Sequence, residues 1–242
     1  MAEVLKTLLA DPGRPRLTWY GDDGERVELS GHVLVNWVVK TTNLLTEELD
    51  AGPGTRVRID LPPHWRTLVW ATATWRAGAC AVIGDHAVTE PDDAVVTTDA
   101  ARWATTGADV VAVALPALAR SYGAALPPGA IDAASAVMTY ADTLGPLAPV
   151  DGSGPALDHP AGHVSHAGLL DWARTTVGEV DDTERPRLLL SAEVGVTEVL
   201  AVALDVWSRD GSLVLCSPET ASALGADADR RARLVASERV TG

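Results

Sequence analysis

Three short runs, Ala79 to Ile83, Ala94 to Thr97 and Val110 to Leu115, are apolar or β-branched at nearly every position. A strand with one face in water alternates apolar and polar residues, whereas a strand covered on both faces reads as a continuous apolar run. The runs alternate with helix candidates. That pattern constrains the chain to an α/β fold: doubly wound, mostly parallel sheet layers flanked by helices and joined by right-handed crossovers. With 242 residues and 47% hydrophobic side chains, the core can fill one large domain or two lobes, 1–150 and 151–242.

The flanking segments fit the same architecture. Leu17 to Tyr20 and Arg26 to Leu29 are extended runs either side of Gly21-Asp22-Asp23-Gly24-Glu25, a hairpin signal. Ser30 caps a helix over Gly31 to Leu49, where Leu34, Trp37, Val38, Leu45 and Leu49 share one face. Arg56 to Leu61 reads as a strand. His64 to Ala77 is apolar on nearly every side, the mark of a helix buried all round, with Trp70 pointing away from the Trp65, Leu68, Val69 and Trp75 face. Intramolecular packing is the favoured fate of Trp70.

After a Gly, Pro, Asp and Ala-rich stretch with one predicted helix around Ile131 to Asp142, a second unit begins near Val164. Ser165 is expected to cap a helix to about Val177. There follow a polar turn at Asp181-Asp182-Thr183-Glu184, a strand Leu188 to Leu190, a helix Thr197 to Ser208, a strand Ser212 to Cys216 and a final helix Ala226 to Ser237.

Composition excludes several functions. A formal charge of −14 and a pI near 4.7 argue against nucleic-acid and anionic-membrane partners, and weakly against ATP, because basic groups supply most of the affinity for phosphates. Cys80 and Cys216 sit in apolar runs and read as buried free thiols in a reducing compartment. No segment approaches the about 18 uninterrupted apolar residues of a membrane span, and the N-terminus lacks a signal-peptide pattern, so a cytoplasmic location is expected. Eight tryptophans and no phenylalanine reflect composition rather than mechanism.

Four motifs in order carry a resemblance. Gly52-Pro53-Gly54-Thr55-Arg56-Val57 is similar to the turn before a first core strand. Trp75-Arg76-Ala77-Gly78-Ala79 running into Cys80 to Asp85 resembles a helix ending in Ala-Gly-Ala before a strand that closes on aspartate. Val164-Ser165-His166 resembles a Ser/Thr-His helix start, and Leu188 to Leu215 the following unit. Together they resemble the front half of the AMP-forming acyl-activating enzymes, the acyl-CoA synthetases and adenylating ligases. They are also similar to short actinobacterial proteins that look like detached front ends of such enzymes.

The resemblance implies a phosphate loop at Gly152 to His166, with Ser153, Gly154, Ser165 and His166 as its cofactor-binding remnants and Glu193 at the carboxyl end of a parallel strand nearby. The family's loop is rich in Ser, Thr and Gly and ends in Pro-Lys-Gly, where this chain has Pro160-Ala161-Gly162. Backbone N–H groups and one ammonium cradle phosphates in such loops. Charge-assisted hydrogen bonds contribute about 1.5 to 3 kcal/mol each, so losing the lysine weakens phosphate engagement about ten- to a hundred-fold. The sequence also stops at Gly242, before the family's adenine- and ribose-binding motifs and its C-terminal domain. No cofactor is expected, ATP or AMP binding only weakly if at all, and no catalytic residue is assigned.

Other constellations lose to simpler readings. His159, His163 and His166 have helical spacing for a zinc site, but Pro160 and Gly162 break the helix and Asp158 is the only nearby fourth ligand. Ser165, His166 and Asp171 lack a Gly-x-Ser-x-Gly elbow. Gly52 and Gly54 precede a strand, whereas a dinucleotide fingerprint follows one. Glu193 and Glu198 read first as solvated charges. Two functions remain: a catalytically incompetent binding or assembly module, homo-oligomeric or held by a protein partner, or a half-enzyme that keeps nucleotide or acyl-CoA binding and is completed by a separate C-terminal partner. The first is favoured, because truncating a parallel sheet exposes edges that must be paired.

Overall fold

The computed structural model describes residues 1–86, 90–178 and 184–241. In chain order the elements are α1 (Ala2–Leu9), β1 (Pro15–Tyr20), β2 (Arg26–Ser30), α2 (Gly31–Glu48), β3 (Arg56–Asp60), α3 (Trp65–Ala77), β4 (Cys80–Val82), β5 (Ala94–Thr97), α4 (Ala100–Trp103), β6 (Asp109–Ala112), β7 (Ile131–Asp132) and α5 (Ala133–Ala136). There follow β8 (Pro155–His159), β9 (Gly162–Ser165), α6 (Leu169–Val177), β10 (Arg187–Ser191), α7 (Val196–Ser208), β11 (Ser212–Cys216), α8 (Pro218–Ala226) and α9 (Ala228–Glu238). The architecture is the expected α/β one.

Two compact units share this chain, and both are discontinuous in sequence. The first takes Asn36–Pro62 and Val69–Leu169 with Met1; the second takes Ala2–Val35, Pro63–Leu68 and the chain from Leu170 on.

The first unit holds a sheet of order β7-β6-β5-β3-β4-β8-β9. Every pairing is parallel except β8 with β9. The continuous apolar runs become β4, β5 and β6, whose residues are buried apart from Asp109 at the start of β6. α3 ends at Gly78, whose φ of +88° suits a residue without Cβ; Ala79 N–H then reaches the Thr74 carbonyl at 3.1 Å, closing the helix in a Schellman-type bond. Trp70 is buried within the chain, as expected, and Trp75 donates its indole N–H to the Ala156 carbonyl at 2.8 Å, satisfying its polar edge.

The second unit holds a sheet of order β10-β11-β1-β2, parallel except for the predicted β1–β2 hairpin. α7 is buried from Val199 to Trp207, and Trp207 donates to the Arg16 carbonyl at 3.1 Å. Both cysteines are buried and free, and burial pushes each thiol up to about 11. Among the described residues no helix is long and apolar enough to cross a membrane.

Three local expectations are corrected. The helix expected over Ile131 to Asp142 breaks up because Ile131 and Asp132 pair with β6; the Asp132 carboxylate then caps only the short α5, accepting from Ala134 and Ser135 N–H. Residues 152–166 form an antiparallel hairpin rather than an open loop. Ser165 lies in β9 and its hydroxyl closes a turn on Gly168 N–H at 3.2 Å, so α6, from Leu169, starts three residues later than a cap at Ser165 would place it. The expected final helix forms as α9, capped by Asp227 through Arg230 N–H; α8 before it, which Asp227 ends in extended backbone, was not expected. The amphipathic α1 escaped the sequence reading. The predicted turn at Asp181 to Thr183 lies outside the described residues.

Candidate functional site

The hairpin β8–β9 occupies the position expected for the phosphate loop. Its register pairs Leu157 with Val164, Asp158 with His163 and His159 with Gly162, leaving Pro160 and Ala161 as a two-residue turn. Proline fixes φ near −65° and cannot supply the positive φ that tight hairpins want at their first turn residue. That conformation falls instead on Gly162, with φ +136°.

Asp158 lies at the centre of this site and is 2% exposed. Its Oδ2 accepts from Arg56 Nη2 at 2.7 Å, and its Oδ1 lies 2.9 Å from His86 Nε2 and 3.1 Å from His163 Nδ1. Arg56 stands on β3, two strands away in the sheet, and reaches past β4 to make this pair. Burial alone would raise the Asp158 carboxyl; the hydrogen bonds from Arg56 and His86 outweigh it and hold the group below the usual carboxylate range. Arg58 is engaged in turn by Asp92 and the Gly84 carbonyl. The cations beneath the hairpin are therefore matched by protein carboxylates.

The sequence-predicted remnants do meet at the base of the hairpin. Ser153 directs its N–H and its hydroxyl to the Asp151 carboxylate at 2.9 and 2.8 Å. Gly154 N–H donates to the Asp151 carbonyl, and the Gly154 carbonyl accepts from His166 N–H, each at 3.0 Å. The His166 Nε2 is 3.0 Å from the Gly78 carbonyl, so it carries the proton; burial lowers the pKa of this imidazole. The described donors of Ser153, Gly154 and His166 thus end on protein acceptors. Among the described residues no cluster of His, Cys, Asp and Glu has the arrangement of a metal site.

Glu193 belongs to the second unit. It is exposed, and its contacts are with Ser191, whose Oγ accepts from Glu193 N–H at 3.1 Å. At the carboxyl ends of β10 and β11 there is a cavity of about 210 Å³ lined by Leu189, Leu190, Cys216 and Leu224, and Glu193 is not among its lining residues.

Sequence reasoning missed Arg56 and His86. The signal was present in Arg56-Val57-Arg58-Ile59-Asp60, where charges alternate with apolar residues inside a strand that has neighbours on both sides. Residues two apart share a face of a strand, so this one presents charge to a buried layer that must contain partners.

Comparisons with known proteins agree with this architecture. No protein-family model matches the chain. Solved structures with the same fold include acetoacetyl-CoA synthetase from Streptomyces lividans, at TM-score 0.68 and 18% identity over 90% of this chain and 38% of that one. An acyl-CoA synthetase from Brucella canis gives 0.65 and 16% over 93% and 48%. The amide bond synthetase McbA from Marinactinospora thermotolerans, as a K483A mutant, gives 0.64 and 17% over 99% and 47%. The chain spans less than half the length of each of these enzymes, and its fold is that of their N-terminal portions. A curated protein of Mycobacterium tuberculosis, described as a TIGR03089 family protein, is 35% identical over 224 residues, 88% of both chains. At that identity and coverage the chain belongs to the TIGR03089 family, built on the acyl-CoA synthetase N-terminal fold.

Proposed function

We propose that the chain is a non-adenylating relative of the acyl-activating ligases that works in the cytoplasm as a binding or assembly module. The observation that carries the reading is the two-residue turn at Pro160 and Ala161. A phosphate cradle needs converging free N–H groups and a cation. This hairpin spends its backbone on strand pairing and keeps a buried carboxylate, Asp158, beside the turn. That carboxylate already neutralises Arg56 beneath the turn, so this cation is not offered to a polyphosphate.

For assembly, β10 is the surface that fits. It ends the four-stranded sheet, and its five residues, three of them leucines, are all part-exposed. Among the described residues, Thr241 covers the Arg187 end of its edge. An uncovered strand edge favours pairing with another chain, and we assign β10 to a homodimer or a polypeptide partner. Sedimentation velocity across a wide concentration range is expected to show self-association, and a strict monomer would remove the homodimer.

The second reading, a nucleotide-binding half-enzyme, draws on the cavity at the carboxyl ends of β10 and β11, where open α/β sheets bind ligands. Its about 210 Å³ falls short of the roughly 300 Å³ at which small-molecule pockets begin. Thermal unfolding with millimolar Mg-ATP, AMP and CoA separates the two. A ligand at 100 times its Kd adds about 2.7 kcal/mol, a rise of about 5 to 10 °C for a chain this size. We expect ATP and AMP to raise the midpoint no more than equimolar pyrophosphate and phosphate do. A larger rise with either nucleotide establishes the half-enzyme reading instead.

A further inference from the structure

The second unit contains a cavity of about 440 Å³ at the amino-terminal ends of β1, β10 and β11, within the size range of small-molecule sites. The carboxyl ends, where ligands of open α/β sheets bind, are at the other edge. Five arginines line the cavity against two glutamates, in a protein whose formal charge is −14.

The charges do not balance locally. Arg187 is matched by Glu238 and by the hydroxyls of Ser212 and Thr18, and Arg26 by Glu28 and Glu238. Asp210 is shared by three guanidinium groups: Arg16 at 2.6 Å, Arg185 at 2.6 Å and Arg14 at 3.7 Å. Burial, and after it the charge of neighbouring Arg16, hold Arg14 below the ordinary arginine value. Among the described residues, Arg239 has no side-chain hydrogen bond or ion pair, and Arg185 engages only its Nε. Among the described residues, nothing engages the Nη groups of Arg185 or the guanidinium of Arg239 at the cavity wall.

Backbone geometry marks the same place. Four described non-glycine residues have positive φ, and three of them, Arg185 (57°), Asp210 (57°) and Arg239 (54°), belong to this network. Asp210 and Arg239 take this conformation as the residues that terminate α7 and α9, with Gly211 N–H on the Val206 carbonyl and Val240 N–H on the Val235 carbonyl, and those helix ends set them beside the cavity.

We infer that this cavity binds a small phosphoryl-bearing anion through Arg185 and Arg239, with Arg14 and Arg26 supplying the surrounding field. Guanidinium groups match phosphoryl oxygens bidentately, and a dianion would neutralise the surplus that Asp210 leaves. The inference goes beyond the proposed function and does not depend on it.

The probe is inorganic pyrophosphate, titrated calorimetrically without Mg²⁺ at constant ionic strength. Saturable one-to-one binding is expected, weakened about ten-fold or more by Arg239→Ala and by Arg185→Ala. Arg233→Ala removes the same charge from an exposed position on α9 that does not line the cavity, and should change affinity by less than about two-fold, since distant exposed charges are screened. Among the described residues Arg239 has no side-chain partner to lose, so its variant should unfold at the parental midpoint. Absence of saturable binding at millimolar pyrophosphate overturns the inference. Equal weakening by Arg233→Ala and Arg239→Ala also overturns it, by showing diffuse attraction in place of a site. Neither result touches the β8–β9 reading, which fails only on nucleotide-specific stabilisation.

Discussion

The Arg56–Asp158 pair offers the sharpest test of how the first unit is held together. Asp158→Leu removes a carboxylate that is 2% exposed and leaves Arg56, 8% exposed, with its charge buried; the Arg56 Nε already has no hydrogen-bond partner. A charge separation of about 4 Å at an effective dielectric of about 20 gives about 4 kcal/mol, in line with the 3 to 5 kcal/mol typical of breaking one side of a buried pair. In a chain of this size that lowers the thermal midpoint by roughly 8 to 16 °C. The double change Arg56→Met with Asp158→Leu removes both charges and should recover most of the loss, because a buried pair roughly breaks even against apolar side chains of similar volume. Urea unfolding of the two single variants and the double variant closes a thermodynamic cycle. A coupling below about 1 kcal/mol would refute the reasoning, since the pair would then behave as an exposed one.

Three further outcomes are expected. His64 is 4% exposed and packs edge-on to Trp19 at 4.5 Å; burial, and then the charge of Arg66, lower its pKa from 6.5 to about 3. Between those values the unfolded chain binds the extra proton, so stability is full above pH 6.5 and falls as pH drops, by about 2 kcal/mol from pH 7 to 5. Denaturant midpoints for parent and His64→Asn should diverge by that amount over this window, and parallel curves would refute it. Gly31→Ala would place a Cβ 2.1 Å from the Leu8 carbonyl oxygen, forcing backbone to move and costing roughly 1 to 3 kcal/mol or more; an unchanged urea midpoint would contradict the close approach. Cys80 and Cys216, buried with thiols pushed up to about 11, should resist iodoacetamide at pH 7.5 in the native state and react once urea unfolds the chain.

The site divides between what local sequence carries and what it does not. The β8–β9 pairing brings Ser153, Gly154, Ser165 and His166, positions near in sequence, together at the base of the hairpin. The fate of their hydrogen bonds was not legible. It depends on Asp151 and on the Gly78 carbonyl, which α3 and its terminating turn deliver from 88 residues away. Glu193 followed from a sound rule about strand ends, yet its side chain turns to Ser191 rather than lining the cavity beside it.

Charge behaved in the same way. A formal −14 describes the far field and argues against anionic partners, but the second unit gathers Arg14, Arg26, Arg185, Arg187 and Arg239 from segments at opposite ends of the chain into one concavity. Net charge sums over positions; a binding site depends on which of them converge.

The sequence by itself determined the layers: continuous apolar runs can only be strands covered on both faces, helical periodicity set α2 and α7, and glycine and proline marked where elements stop. It determined these because periodicity and backbone restriction are local properties. Only the tertiary structure decided that the phosphate-loop segment closes as a two-residue hairpin over Asp158, and that one aspartate is shared among three arginines. Those outcomes depend on which strands become neighbours, and that is fixed by the packing of the whole sheet.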